Sequence, residues 1–338
     1  MSLPSLVGGI ALRSYDFAPA IVFAAVYALL LPAFTYRLFV RRSRTAVLGG
    51  CIAFAVERVI LFSLRAAVAF NPGTESPGLS EYFQATFAVG CAHLAHDVSG
   101  LVRCVLVNAT KGPADPPSAA SPCSSAGGDD PRRRFWFRRW HECMSVLFFA
   151  ALATALVSTS VMFKNGDVAL NRRNQALRHA SAAIVLVLIL SVASMVSWAW
   201  HNVPQIDRRA LRFLLVVTSL LMIPPIYRLV VMHSTTADLT ALDHQALNTR
   251  ADKAAFYVFH ILPEWTVVAM MCIFNVKDTL QTGMMGDARW RDETPKERAK
   301  RERKAIEKER MRAKKVNNKA DSFEMSKESH SSSIVTLA

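Results

Sequence analysis

Nine ionisable residues sit inside otherwise apolar stretches: Glu57, Arg58, Arg65, His93, His96, Asp97, Arg228, His260 and Glu264. At the centre of a membrane helix each would cost about 2.5 kcal/mol or more unless paired or hydrated, so these positions are the polar-core candidates. His93, His96, Asp97 and Gly100 follow i, i+3, i+4, i+7 spacing and share one helical face. That face admits three readings: hydrogen bonds that hold helices together, a hydrated polar pathway, or two imidazoles and a carboxylate on a metal, with His260 as a further ligand. The spacing matches no standard metal motif, no catalytic residue is assigned, and no cofactor is implied. Further along, His260 and Glu264 stand one turn apart around Pro263, and Pro224-Pro225 precede Tyr227-Arg228. Prolines free backbone carbonyls that must be satisfied locally. Two kinked helices with Arg228 and Glu264 at comparable depth predict that this pair meets, directly or through water. By helical rise, Glu57, Arg58, His93, His96 and Asp97 fall near a membrane midplane, whereas Arg65, Arg228, His260 and Glu264 fall nearer the external side.

The elements that must position these residues are long apolar runs. The 338 residues are 52% hydrophobic and yet carry a net charge of +14, with a mean hydropathy of +0.23, so charged and apolar residues are segregated. A bilayer core of about 30 Å needs about twenty helical residues, and suitable runs fall near 19–40, 47–70, 81–107, 143–163, 180–202, 209–232 and 255–276. The predicted fold is all-α: a polytopic seven-transmembrane-helix bundle over 19–276, preceded by an external N-terminus, 1–18. A flexible cytoplasmic loop is expected at 108–142, where 112–131 is rich in Pro, Ser, Gly and Ala. Residues 277–338 form a basic cytoplasmic tail, partly helical and then disordered. The first run is long enough to cross the bilayer and lacks a basic start, so it reads as a retained span, not a cleaved leader.

Orientation follows from arginine. Arg41, Arg42, Arg44, the cluster Arg132, Arg133, Arg134, Arg138, Arg139, then Arg208, Arg209 and the tail lie on one set of loops, while 71–80 has no Lys or Arg. The positive-inside rule therefore puts the N-terminus outside and the C-terminus in the cytoplasm. Lys164, Arg172, Arg173 and Arg178 argue the other way. The sequon Asn108-Ala-Thr110 would be cytoplasmic and unmodified, and the six cysteines would lie in spans or on the cytoplasmic side, where disulfides are not expected. In Arg132–Trp140 basic and aromatic residues interleave, which suits a headgroup interface. The partners implied are the bilayer and anionic lipid headgroups, not nucleic acid, since no soluble domain presents the basic residues.

Several of these residues, in this order, resemble the fungal seven-span lipid-translocating exporter family, the aminocholesterol-resistance proteins. The shared elements are Tyr15 to Pro19, Glu57 with Arg58 or Arg65, Gln84 with Arg103, Tyr227-Arg228, and Tyr257 through Pro263-Glu264. The chain lacks that family's Gly-Tyr after the glutamate and has His93, His96 and Asp97 in place of Pro and small residues. The resemblance implies a plasma-membrane protein that moves lipids or confers resistance to toxic amphiphiles, with a lipid or amphiphile as substrate. No Walker-type phosphate loop is present. A seven-span receptor-like sensor and an intramembrane metal-dependent lipid hydrolase, with Glu264 as base, remain the alternatives.

Overall fold

The computed structural model describes residues 5–40, 43, 45, 48–110, 130–160, 168–204, 206–234 and 247–280, with side chains from 172 onward in the fifth helix, and Ala299, Arg303, Ile306, Glu307, Glu309, Arg310 and Met311. Arg41, Arg42, Arg44, Cys123, Lys164 and most of the predicted loop and tail lie outside the described residues. Seven long helices are present among the described residues: α1 (Phe17–Phe39), α2 (Gly49–Phe70), α3 (Pro77–Ala109), α4 (Pro131–Ser160), α5 (Val168–Asn202), α6 (Arg208–Val231) and α7 (Arg250–Ile273). No strand is found among them.

Five of the seven, α1 and α4 to α7, are long and apolar enough to cross a membrane, the arrangement of a multipass membrane protein. The other two, α2 and α3, carry six of the nine ionisable residues singled out in the sequence, Glu57, Arg58 and Arg65 on α2 and His93, His96 and Asp97 on α3. Large apolar side chains point outward along the bundle, among them Leu29, Val146, Phe149 and Val230, while charged residues are buried within it. That distribution is the reverse of a water-soluble domain.

Successive helices pack against one another, α7 closes back onto α1 and α2, and α3 also touches α5 and α6. Helix starts follow local chemistry. Ser76 caps α3 ahead of Pro77 and Asp207 caps α6. Thr249 and Asp252 form a reciprocal capping box on α7. Within α7, residues Tyr257–Ile261 form a π turn, and Pro263 follows.

Two segments differ from expectation. The helix α4 begins at Pro131, so 131–142, assigned to the expected loop, is helical, with Phe137 buried on its inner side. The N-terminal segment is not a peripheral tail: Ser5, Leu6, Val7, Ile10, Ala11 and Asp16 are buried. They sit on the end of the bundle where α1, α3, α5 and α7 begin. A turn at Gly8 and Gly9, both with positive φ, allows this. A Cβ at Gly8 would lie 2.9 Å from the Phe256 ring, and one at Gly9 would lie 2.4 Å from Asn248 Oδ1. Residues 289–338 form a separate unit whose described members are helical and exposed.

Candidate functional site

The interior holds two layers of charge. In the middle layer Arg58 Nη2 donates to Glu264 Oε2 at 2.8 Å, and Nη1 donates to Glu57 Oε2 at 3.2 Å and to the Thr86 carbonyl at 3.4 Å. Both Arg58 and Glu264 are fully buried. The guanidinium lies over Phe54, 4.5 Å from the ring centre. Gly90 leaves the space it occupies, since a Cβ there would sit 1.9 Å from Arg58 Nη2.

Arg228 makes no direct ion pair with Glu264, one of the two ways in which the sequence lets them meet. Its Nη1 donates to the Phe87 carbonyl at 3.3 Å, and α2 supplies the glutamate's partner instead. Helical rise alone puts Arg58 and Glu264 in different layers, but the structure brings them into hydrogen-bond contact. His260 stands among the rings of Phe87, Phe256 and Tyr227, with centroids 5.6, 5.6 and 6.0 Å away. Neither of its nitrogens makes a well-formed hydrogen bond, although the Pro224 carbonyl lies beside the ring, and the same holds for Glu264 Oε1 and for Tyr27 Oη, which lies beside Arg58. The paired prolines of α6 leave the Leu221 carbonyl without its helical donor, because Pro225 has no N–H. Cys91 Sγ approaches that carbonyl at 3.6 Å and takes the donor's place.

The second layer fastens the N-terminal segment. Asp16 Oδ1 accepts from Arg65 Nη2 at 2.8 Å, Arg65 Nε at 3.1 Å and the Tyr257 hydroxyl at 3.0 Å. Its Oδ2 accepts from the Leu12 N–H at 3.0 Å and pairs with Lys253 Nζ at 2.8 Å. Lys253 also donates to the carbonyls of Gly8 and Ile10, and Arg65 to that of Gly8. Arg178 donates to the Ser5 carbonyl at 2.6 Å and to Gln84 Oε1 at 2.9 Å. Gln84 in turn accepts from the Val7 N–H and donates to the Val7 carbonyl. Burial pushes the Asp16 carboxyl up, but Arg65 and Lys253 beside it and the Leu12 N–H outweigh that push and hold it below the usual carboxylate range.

Sequence reasoning missed Asp16, Arg178 and Lys253 as interior groups. Asp16 precedes the first apolar run, and Lys253 stands at the margin of the last. Arg178 reads in the sequence as loop charge against the positive-inside rule, yet it is only 1% exposed. Among the described residues of the two layers the buried cations are Arg58, Arg65, Arg178, Arg228 and Lys253, facing the buried carboxylates of Asp16 and Glu264 and the partly exposed Glu57. The interior is therefore cationic.

The His93 face does not join either layer. His93 Nε2 lies 3.3 Å from the Gly50 carbonyl and 3.8 Å from Asp97 Oδ2, which places these residues level with the first turn of α2 and away from the middle of the bundle. The reason is the length of α3, which starts at Pro77 and carries residue 97 about 30 Å along its axis. His96 turns instead toward α4, 3.2 Å from Ser145 Oγ, with Ser99 and His141 completing a hydrogen-bonded cluster. His260 is with Phe87 and Tyr227, apart from these residues. Among the described residues no three His, Cys, Asp or Glu side chains converge as a metal site would require. No protein-family model, curated protein or solved structure matches the chain.

Proposed function

We propose that this chain is a seven-span membrane protein, N-terminus outside and C-terminus cytoplasmic, that moves lipids or amphiphiles across the plasma membrane by giving their polar groups a path through the bundle. The observation that carries this reading is the middle layer. There His260, Glu264 Oε1 and Tyr27 Oη are buried without well-formed hydrogen bonds, beside an excess of buried cations. An apolar interior would hold the helices together at lower cost. Incompletely bonded polar groups between two interrupted helices instead suit a site that is completed when a headgroup or water enters. A surplus of guanidinium favours a phosphate or carboxylate among entering groups. The N-terminal segment, seated on Arg65, Arg178 and Lys253, closes one end of this path.

The test is lipid transbilayer exchange by the purified full chain in vesicles, followed with a fluorescent phospholipid that an impermeant reductant bleaches from one leaflet. The wild type accelerates exchange over empty vesicles. Glu264→Gln and Arg228→Gln each lower the rate about tenfold, equivalent to one lost hydrogen bond of about 1.4 kcal/mol in the transition state. Exchange no faster than in empty vesicles removes the proposal.

A further inference from the structure

A second feature lies on the outside of the bundle, remote from both charged layers. Between the N-terminal half of α4 and the C-terminal half of α5 runs a cleft of about 580 Å³. Trp136, Trp140, Met195 and Trp198 make its walls apolar, Ser191 and Ser194 are its small residues, and Arg133 stands at one end. Phe137, 6% exposed, meets Trp198 edge to face at 6.0 Å and closes the cleft on the protein side. Trp136, 62% exposed, borders it on the outside.

The long axis of the cleft runs from charge into apolar depth. From Arg133 to Trp140 along α4, and from Trp198 to Ser191 along the antiparallel α5, the rise is about 10 Å. Beyond Trp140 the outward face of α4 continues as Val146, Leu147 and Phe149, all exposed, so the cleft opens onto a surface made for hydrocarbon. At the charged end α4 carries Arg132, Arg133, Arg134, Arg138 and Arg139 against Asp130 and Glu142, a local cationic excess. Arg133 Nε engages Asp130 at 3.2 Å, and the side chain remains more than half exposed.

We propose that this cleft binds an anionic phospholipid, with the headgroup phosphate on Arg133 and an acyl chain lying along Trp140, Met195 and Trp198. Three properties select that occupant. A planar guanidinium matches phosphate oxygens in a fork that lysine does not offer. Tryptophan at such a depth anchors at the boundary of headgroup and chain. The cationic excess favours an anionic headgroup over a zwitterionic one. A sterol would fill the apolar part and bring no anion to the exposed remainder of the Arg133 guanidinium, whose Nε alone engages Asp130. The site is independent of the transport reading, because none of its residues belongs to the polar interior.

Brominated lipids test it, because they quench tryptophan only on contact and half of the six tryptophans line the cleft. The full chain is reconstituted in phosphatidylcholine vesicles containing either brominated phosphatidylserine or brominated phosphatidylcholine. In the wild type, quenching by the anionic lipid rises about fivefold more steeply with mole fraction, the weight of one well-placed cation at an anionic surface. Arg133→Gln brings the two curves together, whereas Arg209→Gln, on the exposed start of α6 at the same end of the bundle, keeps them apart. Quenching by brominated phosphatidylcholine reports insertion alone, so its constancy shows that the variants are folded in the bilayer. Coincident curves for the wild type overturn the proposal. So does an equal loss in both variants, which assigns the preference to diffuse surface charge, or displacement of the anionic lipid by ergosterol at equal mole fraction.

Discussion

Asp16 joins the N-terminal segment to α2 and α7, and its removal leaves Arg65 and Lys253 buried without the carboxylate they both contact. Asp16→Asn is expected to destabilise the folded protein by about 3–5 kcal/mol at neutral pH, read as a lowered unfolding midpoint in detergent. The sign with pH follows from the depressed carboxyl. The Asp16 contribution is fully present above the unfolded value of 3.8 and is lost as pH falls through the lower folded value. Wild type and variant therefore converge only in strong acid, and a difference that vanished by pH 6 would contradict the ion-pair account. At Gly90 a methyl group would displace the Arg58 guanidinium from Glu264, so Gly90→Ala should cost about 1–3 kcal/mol. Gly78→Ala, with nothing within 4 Å of the new Cβ, should be neutral or stabilising by up to about 1 kcal/mol. Arg58 and Glu264 were legible in the sequence because a charge in an apolar run is too costly to be left there without a partner. Their pairing was not, because two arginines, 58 and 228, competed for one glutamate, and helix spacing says nothing about which neighbouring helix is nearer. Asp16, Arg178 and Lys253 were hidden for the opposite reason: at the margin of a span, a charged residue looks ordinary.

The helices themselves were largely visible, since each long apolar run became one helix with ends shifted by a few residues, except that α4 and α5 each start twelve residues ahead of their run. The exceptions are elements whose stability comes from tertiary packing. The first turns of α4 are too basic to look like a span, and the segment ahead of α1 has no periodicity, only backbone groups that buried cations satisfy. In α7 the informative feature is the π turn at Tyr257–Ile261, which sets Lys253 and Tyr257 toward Asp16 and Glu264 toward Arg58. A π turn carries one residue more than the α-helix around it. Deleting Val258, which is 48% exposed, should let the turn close as α-helix and rotate 250–257 by about 100° relative to Glu264. Lys253 and Tyr257 then leave Asp16 while the Arg58–Glu264 pair stays. Hydrogen exchange measures this directly: the amides of Val7, Ile10 and Leu12, bonded in the wild type to Gln84, Asn248 and Asp16, should lose protection, and amides around Glu264 should keep it. Retained protection at 7, 10 and 12 would show that α7 does not hold the segment.

At the scale of the whole bundle, apolar side chains face outward, buried charge is mainly cationic, and exposed charge is unequal between the two ends. The end where α2, α4 and α6 begin carries Arg132, Arg133, Arg139, Arg208, Arg209 and Arg212 on its surface, while the opposite end exposes Arg13, Arg172, Arg173 and Arg250. Arg178, the innermost of the contrary charges, is inside the protein and bonded to Ser5 and Gln84, so it has no weight in the topogenic balance. Burial thus strengthens the asymmetry, and the positive-inside rule predicts that the arginine-rich end faces the cytoplasm. Fusions at the two termini test this. A fluorescent protein that matures only in the cytoplasm should glow when joined to the C-terminus, and a phosphatase active only outside should work when joined to the N-terminus. Because Ser5 is already buried, the N-terminal fusion needs a flexible spacer to keep the segment in its seat. The unfused chain supplies a control free of that constraint, since Asn108 lies at the end of α3 on the arginine-rich side and should carry no glycan in a eukaryotic host. A glycosidase-sensitive mass at Asn108, or activity of the two reporters in the opposite compartments, would invert the bundle and place the N-terminal segment on the cytoplasmic side.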